Sequence, residues 1–335
     1  MASNKRGGAE LFFSRLCGAL AGAGIEQTIA VRRKAPCITD LRAAGAPAPV
    51  EFPFLSNFDL FSKWRLNCLI AREQPEIVLS WMSRAAELCP SGRFIHVARL
   101  GGYYDLRHYR RCDHLIGNTQ DIVEYMVAHG WPRERTHYLP NFADERRAAP
   151  VERDSLETPE GAPVILALGR LHPDKAFDVL IEAMAQLPNA YLWLAGEGPL
   201  KEELQQLAKD RGVAPRVRFL GWRQDTGALL AAATCLVCPS RVEPLGNVVL
   251  EAWAAGKPVV AAASAGPASL LQDNRTGLLV PIDDAAALAA ALRRVIGDPA
   301  MERYLGQQGQ DDYQARFGRE AVTAQYVRFF QSLTA

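Results

Sequence analysis

Short apolar runs alternate with longer segments of helical periodicity along nearly the whole chain. In the first half, five runs are short and apolar enough for buried strands: residues 27–31, 75–80, 94–98, 114–117 and 137–139. Helical patterns occupy residues 11–23, 60–71 and 119–129, and Asn118 is the expected N-cap of the last one. Strands that alternate with helices predict βαβ units and a mostly parallel sheet.

The alternation is more regular in the second half. Six runs predict strands at residues 164–168, 190–195, 217–220, 235–238, 258–261 and 278–280. Helical patterns lie at residues 177–187, 199–211, 225–232, 247–255 and 285–296. This order predicts a doubly wound α/β domain. The tail, residues 301–333, has a helical pattern that we expect to break at Gly306, Gly309 and Gly318.

The segment between the two halves is different in character. Residues 143–163 are charged, contain prolines and show no apolar periodicity, which is typical of a linker. A chain of 335 residues also has room for two domains. We therefore predict a first domain over residues 1–145, a linker over 146–163, a second domain over 164–317 and a C-terminal helix over 318–335.

The start of the first half departs from the doubly wound scheme. Gly7 and Gly8 form a glycine loop in front of a helical pattern, and in such domains a loop of this kind directly follows a strand. Residues 2–6, Ala-Ser-Asn-Lys-Arg, do not have the sequence of a central strand. Either the first domain lacks its N-terminal strand, which is the prediction we carry forward, or the loop is of another kind.

Composition and charge narrow the class of protein. The 38 Lys and Arg residues nearly balance the 37 Asp and Glu residues, which argues against a general nucleic-acid binder. Residues 1–150 hold 20 basic and 15 acidic residues, a net +5, whereas residues 151–335 hold 18 and 22, a net −4. No apolar stretch reaches the roughly 18–20 residues of a membrane span. Seven scattered cysteines, an odd number, are typical of a reducing cytoplasm. We expect a cytoplasmic protein, at most peripheral at the inner face of the membrane.

Two of the cysteines, Cys235 and Cys238, form a C-x-x-C pattern inside a predicted strand. Residues three apart in a strand face opposite sides, so they cannot easily share a metal ion. We expect them to be buried thiols and predict no metal site.

The strongest candidate for a ligand site follows the predicted strand at 235–238. Glu243 precedes a helical pattern, Glu251 lies inside it, and Gly246 and Asn247 occupy its expected start. Free N–H groups at a helix start can bind an anion, and ligands bind at the carboxyl ends of strands in open α/β sheets. The alternative is that Glu243 only supports the helix dipole and Glu251 is a solvated surface residue.

Two further loops follow predicted strands. Arg170 and Lys175 can converge on phosphate oxygens, the first through its fork geometry and the second as a point charge, although an exposed loop with two cations is the alternative. Gly196 and Gly198 form a G-x-G turn, which is a weak signal by itself.

Together these residues make the second half resemble the retaining, nucleotide-sugar-dependent glycosyltransferases of family 4, of the bacterial envelope type. The resemblance rests on Arg170 with Lys175, on the G-x-G turn, and above all on Glu243-x7-Glu251 followed by Gly256-Lys-Pro258. Gly7-Gly8-Ala-Glu10 is similar to the N-terminal glycine loop of that family. The resemblance implies the GT-B fold, two Rossmann-like doubly wound domains that face a cleft, with the last helix packed back on the first domain.

The resemblance also implies roles for individual residues. Arg170 and Lys175 would hold the donor diphosphate, Glu251 would accept hydrogen bonds from the ribose hydroxyls, and Glu243 would bind the transferred sugar. The loop at Gly221, Trp222 and Arg223 would lie near the base. The implied catalytic residues are Arg170, Lys175 and Glu243, and the implied donor-binding residues are Gly7, Gly8, Gly196, Gly198, Gly246, Asn247, Val248 and Glu251.

The implied reaction moves a sugar from a nucleotide-diphosphate sugar to a glycan or lipid-linked acceptor, in cell-envelope polysaccharide or lipopolysaccharide synthesis. The glycosidic bond would loosen through an oxocarbenium-like transition state, with the leaving diphosphate stabilised by the two cations. Because these cations take the place of a divalent ion, we expect neither a metal nor a cofactor besides the donor. A nucleotide-sugar epimerase or hydrolase of the same fold and a non-catalytic nucleotide-sugar-binding partner are the alternatives.

The first domain departs from the family pattern. Many members carry a His near the reacting sugar, but His96 falls in the middle of a predicted strand, where we expect a core histidine. Arg99, Tyr103 and Asp105 are the candidates for its place. The net +5 of this half suits an anionic lipid surface, with residues 32–34 and 107–111 as the expected patches, although a solvated basic face is the alternative.

Overall fold

The chain forms two units in the computed structural model, which describes residues 1–4, 7–55, 59–143, 145 and 148–334. The first unit comprises Met1–Phe142 and Arg319–Ala335, and the second comprises Ala143–Gly318. Two residues of the expected linker, 146 and 147, and the last residue of the chain lie outside the described residues.

The first unit is built from parallel strands and short helices. In chain order its elements are α1 (Gly8–Gly22), β1 (Ala30–Arg32), α2 (Cys37–Ala43), β2 (Val50–Phe52), α3 (Leu60–Glu73), β3 (Ile77–Trp81), α4 (Met82–Leu88), β4 (Ile95–Leu100), β5 (His114–Gly117), α5 (Gln120–Ala128) and β6 (Thr136–Tyr138). The strands form a pair, β1-β2, and a four-stranded sheet, β3-β4-β5-β6. Among the described residues no strand precedes α1.

The second unit is a doubly wound α/β domain. Its elements are β7 (Val164–Leu168), α6 (Phe177–Met184), β8 (Tyr191–Ala195), α7 (Lys201–Asp210), β9 (Val217–Gly221), α8 (Thr226–Ala232), β10 (Cys235–Cys238), α9 (Asn247–Ala254), β11 (Val259–Ala262), α10 (Ala265–Leu270), β12 (Leu278–Val280), α11 (Ala285–Gly297) and α12 (Pro299–Arg316). All six strands are parallel, in the order β12-β11-β10-β7-β8-β9. Cys235 and Cys238 are buried in separate apolar clusters, as expected for opposite faces of a strand.

The tail corrects one prediction. Helix α12 continues through Gly306 and Gly309, where we expected breaks. A Cβ at Gly306 would lie 2.4 Å from the carbonyl oxygen of Gly256, and one at Gly309 would lie 2.4 Å from the ring of Trp253. These glycines therefore allow close packing of α12 against the end of α9. The chain leaves the helix at Phe317 and forms α13 (Arg319–Thr334), whose Val322, Tyr326 and Phe329 enter the core of the first unit.

A smaller expectation, the N-cap of α5, also differs from the structure. Thr119, not Asn118, caps α5, because its side chain accepts a hydrogen bond of 3.1 Å from the amide of Ile122. The described part of the expected linker packs on the second unit. The guanidinium of Arg153 donates to the carbonyl oxygens of Ala162 and Ala232, and Thr158 accepts from the indole of Trp193.

Candidate active site

The predicted residues of the second unit lie at one edge of its sheet, on the loops after β7, β8 and β10 and on the helix that follows β10. Because all six strands are parallel, the loops after β7, β8 and β10 leave from the same edge. The strand order reverses between β7 and β10, and this reversal is where open α/β sheets bind ligands. The loops after β7 and β10 carry Arg170, Lys175 and Glu243.

Lys175 and Glu243 form an ion pair across this switch point, although they are 68 residues apart in sequence. Their side chains are 23% and 14% exposed, respectively, so both are largely enclosed by protein. Lys175 ends a 3-10 turn, Pro173–Lys175, and Ala176 after it has a φ of 49°. The tight turn directs the lysine towards the loop that follows β10.

Arg241, which the sequence analysis missed, ties the same two loops together. Its guanidinium contacts Asp178 at 2.6 Å, Asp283 at 2.5 Å and the carbonyl oxygen of Pro173 at 2.9 Å. Hydrogen bonding to Asp178 is the main reason that the pKa of Arg241 is raised. The backbone adds a hydrogen bond of 3.1 Å from Val242 to Asp174. The only sequence signal for Arg241 was its place directly after a predicted strand.

Glu243 also closes the N-terminus of α9. Its Oε1 accepts a hydrogen bond of 3.2 Å from the amide of Gly246, and its carbonyl oxygen accepts one of 2.7 Å from Gly266. Gly246 has a φ of 81°, so a residue with a side chain would be strained there. Asn247 and Val248 form the first turn of α9, as predicted. The carboxylate of Glu243 thus accepts a hydrogen bond at the N-terminus of α9, where the free N–H groups of a helix favour an anion.

The two remaining charged candidates differ in surroundings. Arg170 is exposed, and among the described residues it forms no ion pair. Glu251 is half-buried and lies one turn into α9, between the buried Leu250 and Ala252. The structure thus brings Lys175 together with Glu243 and leaves Arg170 open to solvent.

Gly196 and Gly198 bring two loops of this edge into contact. A Cβ at Gly196 would lie 1.8 Å from the carbonyl oxygen of Gly169, and one at Gly198 would lie 2.3 Å from that of Leu171. The amide of Leu171 donates to the carbonyl oxygen of Glu197 at 2.9 Å. The direct role of both glycines is to support the loop that carries Arg170.

Gly7 and Gly8 belong to the first unit. Gly7 is the N-cap of α1 in an extended conformation, φ −154°, and Gly8 is the first residue of the helix. A Cβ at Gly7 would lie 3.1 Å from Oε2 of Glu10, whose side chain is buried. Any side chain larger than hydrogen would therefore press on the first turn of α1.

His96 is a core histidine, as we expected. It is 3% exposed, its Nε2 lies 3.0 Å from the hydroxyl of Ser80, and its Nδ1 lies 3.3 Å from the carbonyl oxygen of Arg111. Burial lowers its pKa, which keeps the ring neutral in the fold.

The three candidates for the place of a catalytic His are all engaged in structural contacts. Arg99 is 2% exposed, and its guanidinium donates to Tyr326 of α13 at 2.9 Å and to Asn141. Tyr103 donates to Asp121, and Asp105 pairs with Arg107. Arg99 therefore holds α13 in the core of its own unit.

Within the described residues, no cluster of three or more His, Cys, Asp or Glu side chains could hold a metal ion. None of the described helices is both long and apolar enough to cross a membrane.

The parallel sheets of both units, and in the second unit a strand-order reversal with charged loops beside it, agree with the GT-B fold of glycosyltransferases. The chain belongs to this class of enzymes: residues 149–312 match the family described as "Glycosyl transferases group 1", and residues 6–147 match "Glycosyltransferase Family 4".

Relatives match over nearly the full chain. "Lipopolysaccharide core biosynthesis glycosyltransferase LpsE" of Rhizobium meliloti (strain 1021) is 39% identical over 98% of this chain and 97% of its own. LpsD of the same organism is 35% identical over 97% and 95%. Among solved structures, Anabaena Alr3699/HepE in complex with UDP and glucose superimposes with a TM-score of 0.84 at 23% identity, covering 99% of this chain and 98% of that one. This last match shows the shared fold.

Proposed function

We propose that the protein is a retaining glycosyltransferase that moves a sugar from a nucleotide-diphosphate sugar to the lipopolysaccharide core. The observation that carries the proposal is the Lys175–Glu243 pair at the switch point of the second unit. The printed names of LpsE and LpsD support the lipopolysaccharide acceptor. The UDP and glucose bound to HepE make a uridine donor the first one to test.

The chemistry that we propose uses the charges of the two loops. The bond between the anomeric carbon and the diphosphate oxygen breaks, an acceptor oxygen bonds to the same face of the sugar, and its proton passes to the departing phosphate. Arg170 and the remaining N–H donors of Lys175 stabilise the charge that develops on the diphosphate. Glu243 holds Lys175 in place and accepts hydrogen bonds from the sugar.

We also propose that Glu251 binds the ribose and that the amides at Gly246, Asn247 and Val248 bind the diphosphate. The position of Glu251 one turn into α9 separates it from these amides along the helix, as two parts of one nucleotide would require. In this proposal Gly7 and Gly8 contribute from the first unit, and Gly196 and Gly198 act by holding the loop of Arg170.

We further propose that transfer needs neither a metal nor a cofactor besides the donor. In this proposal Arg170 and Lys175 take the place at the diphosphate that a divalent ion would otherwise fill. We therefore expect activity to persist in EDTA. Loss of activity in EDTA that Mg²⁺ or Mn²⁺ restores would contradict this part of the proposal while leaving the donor site intact.

The proposal is tested by sugar transfer to lipopolysaccharide core acceptor, with the products separated by chromatography. Lys175→Ala and Glu243→Gln should each lower kcat/KM at least a hundredfold, because charge stabilisation of a leaving group is among the largest catalytic contributions. Lys201→Ala and Glu202→Gln, on the solvent side of α7, are the matched controls. Equal activity in all four variants would overturn the proposal.

Two readouts separate the alternatives. A hydrolase or an epimerase would convert the donor without any acceptor, so free sugar or an isomerised donor would be the main product. A non-catalytic binding partner would be stabilised by a nucleotide in a thermal-shift screen of UDP, GDP and ADP but would turn nothing over. Stabilisation by none of the three at high concentration would count against a donor site.

For the membrane contact, we propose that α3 meets anionic lipid. Leu60, Phe61 and Trp64 on its outer face are 77%, 57% and 61% exposed, and the guanidinium of Arg65 lies over the ring of Phe61. Aromatic side chains next to basic ones suit the interface of an anionic bilayer. The expected patch at 107–111 is less suitable, because Arg107 pairs with Asp105 and Arg111 donates to backbone carbonyl oxygens.

Co-sedimentation with phosphatidylglycerol vesicles tests this contact. The double variant Phe61→Ser/Trp64→Ser should bind at least tenfold more weakly, whereas Tyr304→Ser, which removes another exposed aromatic side chain, from α12, should bind as the unchanged protein does. Equal binding by both variants would refute a role for α3.

A further inference from the structure

The loop after β7 carries a histidine between the two cations of the candidate site. His172 lies two residues after Arg170 and three residues before Lys175. Leu171 is buried, whereas Arg170 is exposed and the side chain of His172 is 34% exposed, so both neighbours of Leu171 turn towards solvent. His172 is also the only histidine in the sequence of residues 143–318, which form the second unit.

Two contacts to the loop after β10 hold the backbone beside this histidine. The carbonyl oxygen of Pro173 accepts a hydrogen bond of 2.9 Å from the guanidinium of Arg241. The carbonyl oxygen of Asp174 accepts one of 3.1 Å from the amide of Val242. The turn that begins directly after His172 is therefore fixed at the switch point of the sheet.

Asp174 orients the imidazole ring of His172. Its Oδ2 lies 3.0 Å from Nδ1 of the ring, and its amide nitrogen lies 3.4 Å from the same atom. The shorter contact requires a proton on Nδ1, because a carboxylate oxygen only accepts, whereas 3.4 Å is long for a hydrogen bond. Nε2 makes no hydrogen bond or ion pair with the residues that the structure describes. In the neutral ring Nε2 is then an acceptor, and it becomes a donor only when the ring binds a second proton.

The charged groups around the loop are largely neutralised already. The charged residues of the loop itself and of the elements beside it are Arg170, Asp174, Lys175, Asp178, Glu197, Lys201, Arg241, Glu243 and Asp283. Lys175 pairs with Glu243, and Arg241 pairs with both Asp178 and Asp283. The others, apart from Asp174, are exposed residues without an ion pair in the described part of the chain. The negative charges of a diphosphate bound here would favour the protonated form of the imidazole.

We propose that His172 is a further binding residue for the donor diphosphate: diphosphate binding draws one proton from solvent onto Nε2, and the N–H group thus formed donates a hydrogen bond to a phosphate oxygen. This inference rests on the donor site of the proposed function. The proton stays on Nε2 while the ligand is bound, and no covalent bond to the ring forms. When the bond to the anomeric carbon breaks, the diphosphate gains negative charge, so the imidazolium also favours departure of the leaving group.

Proton uptake on binding is the direct test. Isothermal titration calorimetry at about pH 7.5, in HEPES and in Tris, gives the number of protons from the difference in enthalpy between the two buffers. The probes are UDP, GDP and ADP, and each nucleotide that binds is titrated. Their terminal phosphate has lost its last proton at this pH, so it contributes no uptake.

We expect uptake of at least about 0.3 proton per nucleotide in the unchanged protein and none in His172→Gln, because histidine ordinarily changes its charge in this pH range. Between about pH 6.5 and 8.5, the affinity of the unchanged protein relative to His172→Gln should fall about threefold or more, since the proton becomes harder to acquire. His129→Gln, which removes an exposed histidine of the first unit, is the matched control and should behave as the unchanged protein does.

Two more variants separate the charge from the shape of the side chain. His172→Lys stays charged throughout this range, so it should bind at least as tightly as the unchanged protein at about pH 8.5 and take up no proton. Asp174→Asn keeps the histidine but removes the carboxylate that favours the imidazolium, so proton uptake should be smaller.

The outcomes distinguish this inference from the function on which it rests. A nucleotide that binds without proton uptake, or with equal uptake in the unchanged protein and His172→Gln, would overturn the role of His172 and leave the donor site in place. Binding of none of the three nucleotides would instead contradict the donor site, and the role of His172 would fall with it.

Discussion

Removing one hydroxyl from α13 should destabilise the first unit. Tyr326 is fully buried, and its hydroxyl accepts a hydrogen bond of 2.9 Å from Nε of Arg99. The same guanidinium stacks on Phe12 at 4.6 Å and on Trp81 at 4.8 Å. Arg99 thereby joins β4 and α1 to the last helix of the chain. The variant Tyr326→Phe keeps the aromatic ring and removes only the hydroxyl that accepts this hydrogen bond.

The magnitude follows from burial. A hydrogen bond to a charged group contributes about 1.5–3 kcal/mol, and the guanidinium is too enclosed for water to replace the hydroxyl. For a unit of this size, that loss corresponds to a decrease in Tm of about 3–12 °C. Arg99→Met should cost more, since it leaves the hydroxyl of Tyr326 and the side chain of Asn141 without their donor. In that background, Tyr326→Phe should cost little or even stabilise, because the hydroxyl is already unsatisfied.

The assay is urea and thermal unfolding of the four proteins of this cycle, with hydrogen exchange of α13 as a local probe. Tyr304→Phe, which removes an exposed hydroxyl from α12, is the control. Transfer activity per folded molecule should survive in Tyr326→Phe, since the hydroxyl acts within the core. A Tyr326→Phe stability within about 0.5 kcal/mol of the unchanged protein, together with additive effects in the cycle, would refute the reasoning.

Three further predictions concern pH, glycine packing and the site. Burial, and next the neighbouring His114, lower the pKa of His137 to about 4 in the fold, so the unfolded chain gains a proton between about pH 6.5 and 4 that the folded unit does not. The free energy of unfolding of the first unit should therefore decrease as the pH falls from about 6.5 to 4. Over the same range, the urea midpoint of His137→Gln should decrease less than that of His129→Gln, the control. Gly196→Ala should destabilise the second unit by about 2 kcal/mol or more, because its Cβ would overlap the carbonyl oxygen of Gly169, whereas Gly297→Ala has open space and should be neutral or stabilising in the same thermal assay. Arg241→Lys keeps the charge but loses the fork on Asp178 and should lower kcat/KM by about tenfold to a hundredfold, while Arg211→Lys, which loses an exposed pair with Glu182, should leave it unchanged.

Periodicity predicted the second unit better than the first for a physical reason. Strands β7 and β10 are buried along their whole length and have continuous apolar sequences, so their bounds are the predicted ones, as are those of β12. Strand β2, with three residues, and helices α2 and α4, with seven each, are too short for a periodic signal and were missed. Gly306 and Gly309 were misjudged as helix breaks because close packing of α12 on Gly256 and Trp253 is invisible in the local sequence.

The sequence predicted polar residues on single loops of the candidate site, because the loops that carry Lys175 and Glu243 each hold several of them in a recognisable order. It did not predict which side chains of distant loops are in contact. Arg241 reaches Asp178 and Asp283 only because the loops after β10, β7 and β12 leave the sheet at one edge. Arg99 looked like a residue of a ligand site because it lies near the end of a strand, and only its burial against α13 shows its structural role.

The ion pairs of the second unit bear on the proposed anion site, which lies in the half of the chain with net charge −4. Lys175 is neutralised by Glu243, and Arg241 by Asp178 and Asp283, so neither presents a free charge to solvent. Arg170 is exposed and forms no ion pair among the described residues, so in the proposed function it is the cation that the diphosphate would meet first. In the proposed function, Lys175 keeps its ion pair with Glu243 and would bind the diphosphate through its remaining N–H donors, while the carboxylate would accept hydrogen bonds from the hydroxyls of the sugar. The net charge of the unit thus says little about its ligand, whereas the Lys175–Glu243 pair would couple diphosphate binding to the carboxylate that we propose to lie beside the sugar.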